Sequence, residues 1–219
     1  MKKLKVHDDG RGTIAAIWGI CLLLIFLFII FIHPSFIWIP LVALMCFVMC
    51  FIVFFFRVPV RGNISKPNAV TSVADGKVVI IEKVYEPEYL KTECIQVSVY
   101  MSFFNVHVNY WPIDGVNTYY KYHPGRYLLA WMPKASELNE HASLAVRNEC
   151  GEVFFKQMAG TFARRIVTYD CVGENVEKAT QCGIIKFGSR IDMYLPLTAD
   201  IQVEIGDEVR ACESVIAKL

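Results

Sequence analysis

The chain has almost no net charge, since 22 lysines and arginines against 21 aspartates and glutamates leave it at +1. A general nucleic-acid binder neutralises phosphates through counterion release and needs a marked basic excess, so that class is excluded. Closely paired cysteines are lacking too. Of the eight cysteines, Cys21, Cys46 and Cys50 lie in apolar runs, while Cys94, Cys150, Cys171, Cys182 and Cys212 have neither close partners nor neighbouring histidines. That removes the usual zinc spacings, and no metal site is expected. Buried thiols in a reducing compartment are the expectation. Nor is there an internal repeat or a low-complexity tract, so no repeat architecture is expected.

Charge is scarcest near the N-terminus. Residues 13 to 32 carry none and are long enough to cross a hydrocarbon core of roughly 30 Å as a helix. A second apolar run extends from Phe36 to Phe56, separated from the first only by His33-Pro34-Ser35. Proline ends the first helix and cannot continue it, so the pair predicts a membrane-spanning helical hairpin over 13–56. Re-entrant burial is the alternative for such runs. A cleaved signal peptide would have a shorter apolar region ending in small residues, whereas this one ends in Phe31-Ile32-His33-Pro34. These runs account for a hydrophobic content of 55% and a mean hydropathy of +0.40. Lys2, Lys3, Lys5 and Arg11 precede the hairpin and Arg57 and Arg61 follow it. The positive-inside rule then makes 1–12 a basic cytoplasmic N-terminus and sets the rest of the chain on the cytoplasmic face of the cell (inner) membrane.

Prolines and a glycine in Val58-Pro-Val-Arg-Gly-Asn-Ile-Ser-Lys-Pro67 predict a connector over 57–67. Residues 68–219 form one domain of short β segments, predicted at 76–84, 95–101, 127–132, 143–147, 153–157 and 182–185. Small and apolar side chains at helical spacing predict one helix over 157–167, with Arg164 and Arg165 at its C-terminal end. The tail from Ile201 to Leu219 alternates and turns at Gly206-Asp207, as the hairpins of biotinyl and lipoyl carrier folds do, but lacks the exposed lysine such a carrier needs. The expected fold is mainly β, barrel-sandwich-like with a short helix, behind an N-terminal transmembrane hairpin.

One step in this domain can carry chemistry on the chain itself. In Gly183-Ile-Ile-Lys-Phe-Gly-Ser-Arg-Ile-Asp-Met-Tyr-Leu-Pro196 an apolar strand-like run stops at Gly188, and the hydroxyl of Ser189 follows beside a carbonyl that no side chain shields. Attack by Oγ on the Gly188 carbonyl converts the amide to an ester. β-Elimination then leaves dehydroalanine, and water releases ammonia and a pyruvoyl terminus. Gly-Ser alone is an ordinary turn dipeptide, so the signal lies in its context.

That context, Phe187-Gly-Ser-Arg-Ile-Asp192 with Tyr194-Leu195-Pro196, resembles the cleavage site of the short bacterial phosphatidylserine decarboxylases. Thr71-Ser-Val-Ala-Asp-Gly-Lys-Val78 and Met101-Ser-Phe-Phe-Asn-Val-His-Val-Asn-Tyr-Trp-Pro112 resemble two further segments of that family. Tyr122-His-Pro-Gly125, Asn139-Glu-His141 and 157–167 extend the likeness across roughly 58–219. The resemblance implies cleavage between Gly188 and Ser189 into a β-chain (1–188) and an α-chain (189–219), with Ser189 becoming a covalently bound pyruvoyl cofactor. It further implies a Schiff base between that group and phosphatidylserine, loss of CO2 and release of phosphatidylethanolamine. By the same resemblance Asp75 helps to activate the base for self-cleavage, and His107 moves protons in catalysis.

Longer members carry His-x-x-His-x-Pro, whereas this chain reads His107-Val-Asn-Tyr110-Trp-Pro112. A phenol with an ordinary pKa near 10 is a poor base at neutral pH. His107 serving both reactions, or His123 or His141 assisting, are the alternatives. Arg126, Arg164, Arg165 and Arg190 offer guanidinium forks for a phosphodiester or carboxylate and read equally well as surface charges. The implied partners are a phospholipid in the membrane and the two chains of one precursor; a homo-oligomer is compatible with this, a nucleic acid is not. A membrane-anchored adaptor with a carrier-like β fold, or a structural membrane protein, would use the apolar runs but leave the serine context idle.

Overall fold

A charge-free run that crosses hydrocarbon must satisfy its own backbone, and a helix does so within one segment. The computed structural model describes residues 5–32, 34–62, 66–126, 139–160, 165–169, 171–186 and 189–219, with Ser35 and Ser189 described through their backbone only. It divides into two compact units, Met1–Val60 and Arg61–Leu219.

In the first unit, strand β1 (Lys5–Val6) leads through a single 3-10 turn (Asp8–Gly10) to α1 (Arg11–Phe31). Helix α2 (Ser35–Phe55) returns to β2 (Arg57–Val58). β1 and β2 pair antiparallel, with Lys5 opposite Val58, and close the base of the helix pair. The Trp18 indole N–H donates to the Met49 carbonyl at 3.1 Å, tying α1 to α2. Both helices are long and apolar enough to span a membrane and leave most of their surface uncovered, including Ile20, Leu23, Phe26 and Phe47. At the base, the Phe56 ring lies against Gly10, where an added Cβ would stand 2.5 Å from ring atoms.

The second unit contains β3 (Ala69–Thr71), β4 (Gly76–Glu86), β5 (Thr92–Met101), β6 (Val108–Tyr110), β7 (Gly115–His123), β8 (His141–Asn148) and β9 (Gly151–Ala159). It continues with β10 (Arg165–Thr168), β11 (Asn175–Val176), β12 (Gln181–Lys186), β13 (Ser189–Leu195), β14 (Asp200–Ile201), β15 (Glu208–Val209) and β16 (Val215–Lys218). Eight strands form one curled antiparallel sheet in the order β11-β7-β8-β9-β13-β5-β4-β15. Two three-stranded sheets, β10-β12-β6 and β14-β16-β3, complete the unit.

The core lies on one face of the large sheet. Val97, Val99, Leu144, Phe155, Ile191 and Met193 pack there against Val70 and Ile216 of one small sheet and Ile185 of the other. The period-2 alternation of β13 sends Ile191, Met193 and Leu195 into that core. Phe154, Tyr194, Cys94 and Ala145 form a smaller apolar cluster apart from it.

The expected mainly β domain behind two apolar helices is what the structure shows. Five of the six predicted strands appear with longer bounds as β4, β5, β8, β9 and β12; the sixth, 127–132, lies outside the described residues. The helix expected over 157–167 is corrected. Gln157 to Ala159 complete β9 and Arg165 to Val167 open β10, while 161–164 lie outside the described residues. β9 is buried on both faces, and an apolar run without polar alternation does not distinguish strand from helix by period. The tail turns where expected, with Gly206 at φ +106, a conformation that favours glycine.

Candidate active site

Ser189 is the first residue of β13, held in register between Met101 of β5 and Ala159 of β9. β12 ends at Lys186 in a different sheet, so the link between 188 and 189 lies where the chain crosses from one sheet to the other. Gly188 is outside the described residues. β12 is itself fixed on both sides, by β10 and by β6. Gly183 permits its close approach to β10, because a Cβ there would meet the Val167 carbonyl oxygen at 2.3 Å.

His107 is drawn to this crossing by its own backbone. Its carbonyl accepts the Ile185 N–H at 3.2 Å, which aligns it with the strand that leads to the Gly188–Ser189 link. The preceding loop is fastened by Asn105, whose Oδ1 accepts from Ser102 N–H at 2.8 Å and Ser102 Oγ at 2.6 Å. His107 Nδ1 lies 3.1 Å from the Asn105 carbonyl, which assigns the proton to Nδ1 and the basic lone pair to Nε2. The residue is fully buried, so the ring is held in one orientation.

Asp75 sits at the end of the large sheet nearest Ser189. Lys77 pairs with Tyr100 on one side of β5, and Ser189 pairs with Met101 on the other. Strands spaced about 4.8 Å apart thus put the two backbones on the order of 10 Å from each other. A Cβ at Gly76 would meet the Tyr100 carbonyl oxygen at 2.2 Å, so glycine lets the Asp75 turn press against β5. The carboxylate accepts the Ala211 N–H at 2.9 Å through Oδ1 and the Arg61 guanidinium through Oδ2. Arg61 also reaches Glu213 at 3.5 Å.

Tyr110, standing where longer relatives would have a second histidine, is buried, and its hydroxyl finds no hydrogen-bond partner among the described residues. Burial, reinforced by the nearby Cys212, pushes the phenol well above its ordinary value. It therefore stays protonated and cannot act as the missing base. A cavity of about 560 Å³ opens beside this end of the sheet, lined by Asp75, Lys77, Tyr100, Ser102 and Asn105 among others.

Arg190 is not an open anion binder. It is fully buried and pairs with Asp192, Nε to Oδ1 at 2.8 Å and Nη2 to Oδ2 at 3.0 Å. Removing one member of such a pair leaves an uncompensated buried charge at a cost of about 3–5 kcal/mol. Arg190→Met is expected to lower stability by that amount in denaturant titration, and Arg190→Met with Asp192→Leu to recover most of it. A double variant as unstable as the single one would disprove the pairing as the source of the loss. Arg126 and Arg165 are exposed, and Arg164 lies outside the described residues.

The structure joins Tyr122-His-Pro-Gly125 to Asn139-Glu-His141. Arg126 bridges Asn139, and the rings of His123 and His141 stack with centroids 4.4 Å apart. Glu88 accepts from His123 Nε2 at 2.6 Å, from Ser143 Oγ at 3.0 Å and from Lys156 Nζ at 2.9 Å. Burial alone would raise the Glu88 carboxyl, but hydrogen bonds from Lys156 and His123 outweigh it and bring it to about 2. Sequence reasoning missed Glu88, Lys156 and Arg61 as partners. Glu88 belongs to an unremarkable acidic turn, Glu86-Pro-Glu88, and Arg61 sits among connector residues.

A buried histidine whose backbone is bonded to the strand leading to Ser189, in a mainly β unit that follows two helices long and apolar enough to span a membrane, defines the class: an apolar helix pair joined to a β domain. The family model for phosphatidylserine decarboxylase matches residues 48–217. The chain is 52% identical to the phosphatidylserine decarboxylase proenzyme of Amoebophilus asiaticus (strain 5a2), over 77% of this chain and 75% of that protein. It is 40% identical to the proenzyme of that name from Bacteroides fragilis, over 100% of this chain and 97% of the relative, and 37% identical to that of Porphyromonas gingivalis (strain W83), over 99% of each. The chain belongs to the phosphatidylserine decarboxylase family.

Proposed function

We propose that this protein decarboxylates phosphatidylserine to phosphatidylethanolamine and CO2, using a pyruvoyl group made from its own Ser189. The observation that carries the reading is the position of the 188–189 link. It joins two strands that belong to different sheets and are each paired on both sides, so breaking it removes no ladder pair from either. The α-chain, 189–219, stays in place as a central strand of the large sheet and an edge of the core. Processing in such a place leaves the fold intact, which is what a residue converted into a cofactor requires.

A pyruvoyl carbonyl supplies the electron sink that loss of a carboxylate needs and that ordinary side chains lack. The chain's own residues do the rest. His107, with its lone pair on Nε2, takes the Ser189 hydroxyl proton during self-cleavage and later delivers a proton to the substrate Cα. Asp75 fixes the turn that closes this end of the sheet, through Ala211 and Arg61. The adjoining cavity takes the headgroup. Residues 68–219 with Arg61 make up the catalytic unit, and α1 and α2 hold it at the cytoplasmic face of the cell membrane, as the flanking Lys2, Lys3, Lys5, Arg11, Arg57 and Arg61 favour. Because each methylene exposed to water costs about 0.8 kcal/mol, the substrate stays in the bilayer and the enzyme meets its headgroup there.

Mass spectrometry of full-length protein extracted from membranes in detergent tests this reading. Two polypeptides are expected, 1–188 and 189–219, the second beginning with a keto terminus in place of a serine amine, in a preparation that releases CO2 from phosphatidylserine vesicles. A single uncut chain with an ordinary serine at 189 overturns it.

A further inference from the structure

We infer that Glu88, His123 and His141 form a binding site for one divalent transition-metal ion of the zinc type. One ligand atom from each lies within 4.8 Å of the other two. A tetrahedral ion with bonds of about 2.0–2.2 Å spaces its ligands at about 3.4 Å, so the set closes when the two stacked rings turn toward one another. Two imidazoles and one carboxylate suit such an ion in softness as well as in number.

The groups behind the three ligands are placed as a metal site needs them. His141 Nδ1 lies 2.8 Å from the Asn139 carbonyl, which directs Nε2 as the ligating nitrogen. Glu88 Oε2 is held by Ser143 and Lys156, while Oε1 faces His123 Nε2. The ion takes the place of the proton between Oε1 and Nε2, and the carboxylate keeps its anchor on the other oxygen.

Charge decides between a cation and an anion here. Lys156 is shared by two carboxylates, the buried Glu86 at 3.3 Å and the half-buried Glu88 at 2.9 Å. One ammonium against two carboxylates leaves a negative excess, which repels a phosphate and attracts a metal ion. The fourth position opens on a cavity of about 520 Å³, lined by Gln96 and Tyr194 among others, with room for water or an exchangeable ligand. Sequence reading found no metal site because it looked for cysteines, and these ligands come from the turn after β4, the end of β7 and the start of β8.

The test uses the full chain in detergent, stripped with a chelator and titrated with Zn²⁺ by calorimetry and with Co²⁺ by visible absorption. One ion per chain is expected, with a tetrahedral Co²⁺ spectrum free of sulfur charge transfer and a rise in thermal midpoint. His123→Gln and His141→Gln, shown to be folded by circular dichroism, are expected to weaken binding by about 100-fold or more. Ser189→Ala should bind as the parent does, which separates this site from the self-processing proposed above. No uptake by the parent protein, or uptake unchanged in both histidine variants, overturns the inference.

Discussion

Ser189→Ala leaves the purified chain as one uncut polypeptide and lowers decarboxylation of phosphatidylserine to background. Alanine has no Oγ, so no ester forms at the Gly188 carbonyl, no elimination follows and no carbonyl is made. The substitution spares the fold, because position 189 is held through its backbone between Met101 and Ala159. Denaturing electrophoresis and a CO2-release assay read the two effects separately. An alanine variant that is cut at the same place, or that keeps activity, removes Ser189 from the mechanism.

His107→Gln is expected to lose both reactions: the chain is cut slowly or not at all, and turnover of whatever is cut falls by about 10²–10⁴-fold, the usual worth of a positioned acid–base group. Two structural facts favour His107 for both tasks in the proposed mechanism. Its backbone is bonded to Ile185, on the strand that runs into the cleavage link, whereas Tyr110 is held protonated by burial. The histidines offered as helpers, His123 and His141, are occupied with each other and with Glu88. Tyr110→Phe should accordingly leave cutting unchanged. Cutting of His107→Gln at the parent's rate would assign the base elsewhere.

The two apolar runs were legible because hydrocarbon tolerates no other backbone solution, and their lengths match a bilayer without reference to any other part of the chain. The central strands were legible for a similar reason, being rich in β-branched and aromatic residues. Residues 157–159 were not, since β9 is buried on both faces and shows no polar alternation, and only its neighbours β13 and β8 make Gln157 to Ala159 a strand. β13 escaped notice because Arg190 and Asp192 interrupt its apolar pattern, and it is their mutual pairing that allows them to be buried there.

The site divides along the same line. Gly188, Ser189, Asp75 and His107 each sit in a short local pattern whose chemistry depends on adjacent residues, and such patterns survive in a linear sequence. Arg61 against Asp75, and Glu88 against His123, His141 and Lys156, are meetings between segments far apart in the chain. Composition and motif thus settled the two apolar helices and the β class and singled out Ser189, because helix length, side-chain preference and nucleophile–carbonyl adjacency are local properties. Which charges neutralise one another, and that two histidines from separate strands stack beside one carboxylate, was decided by strand order and register alone, since only the folded sheet sets the distances on which electrostatic and ligand chemistry depend.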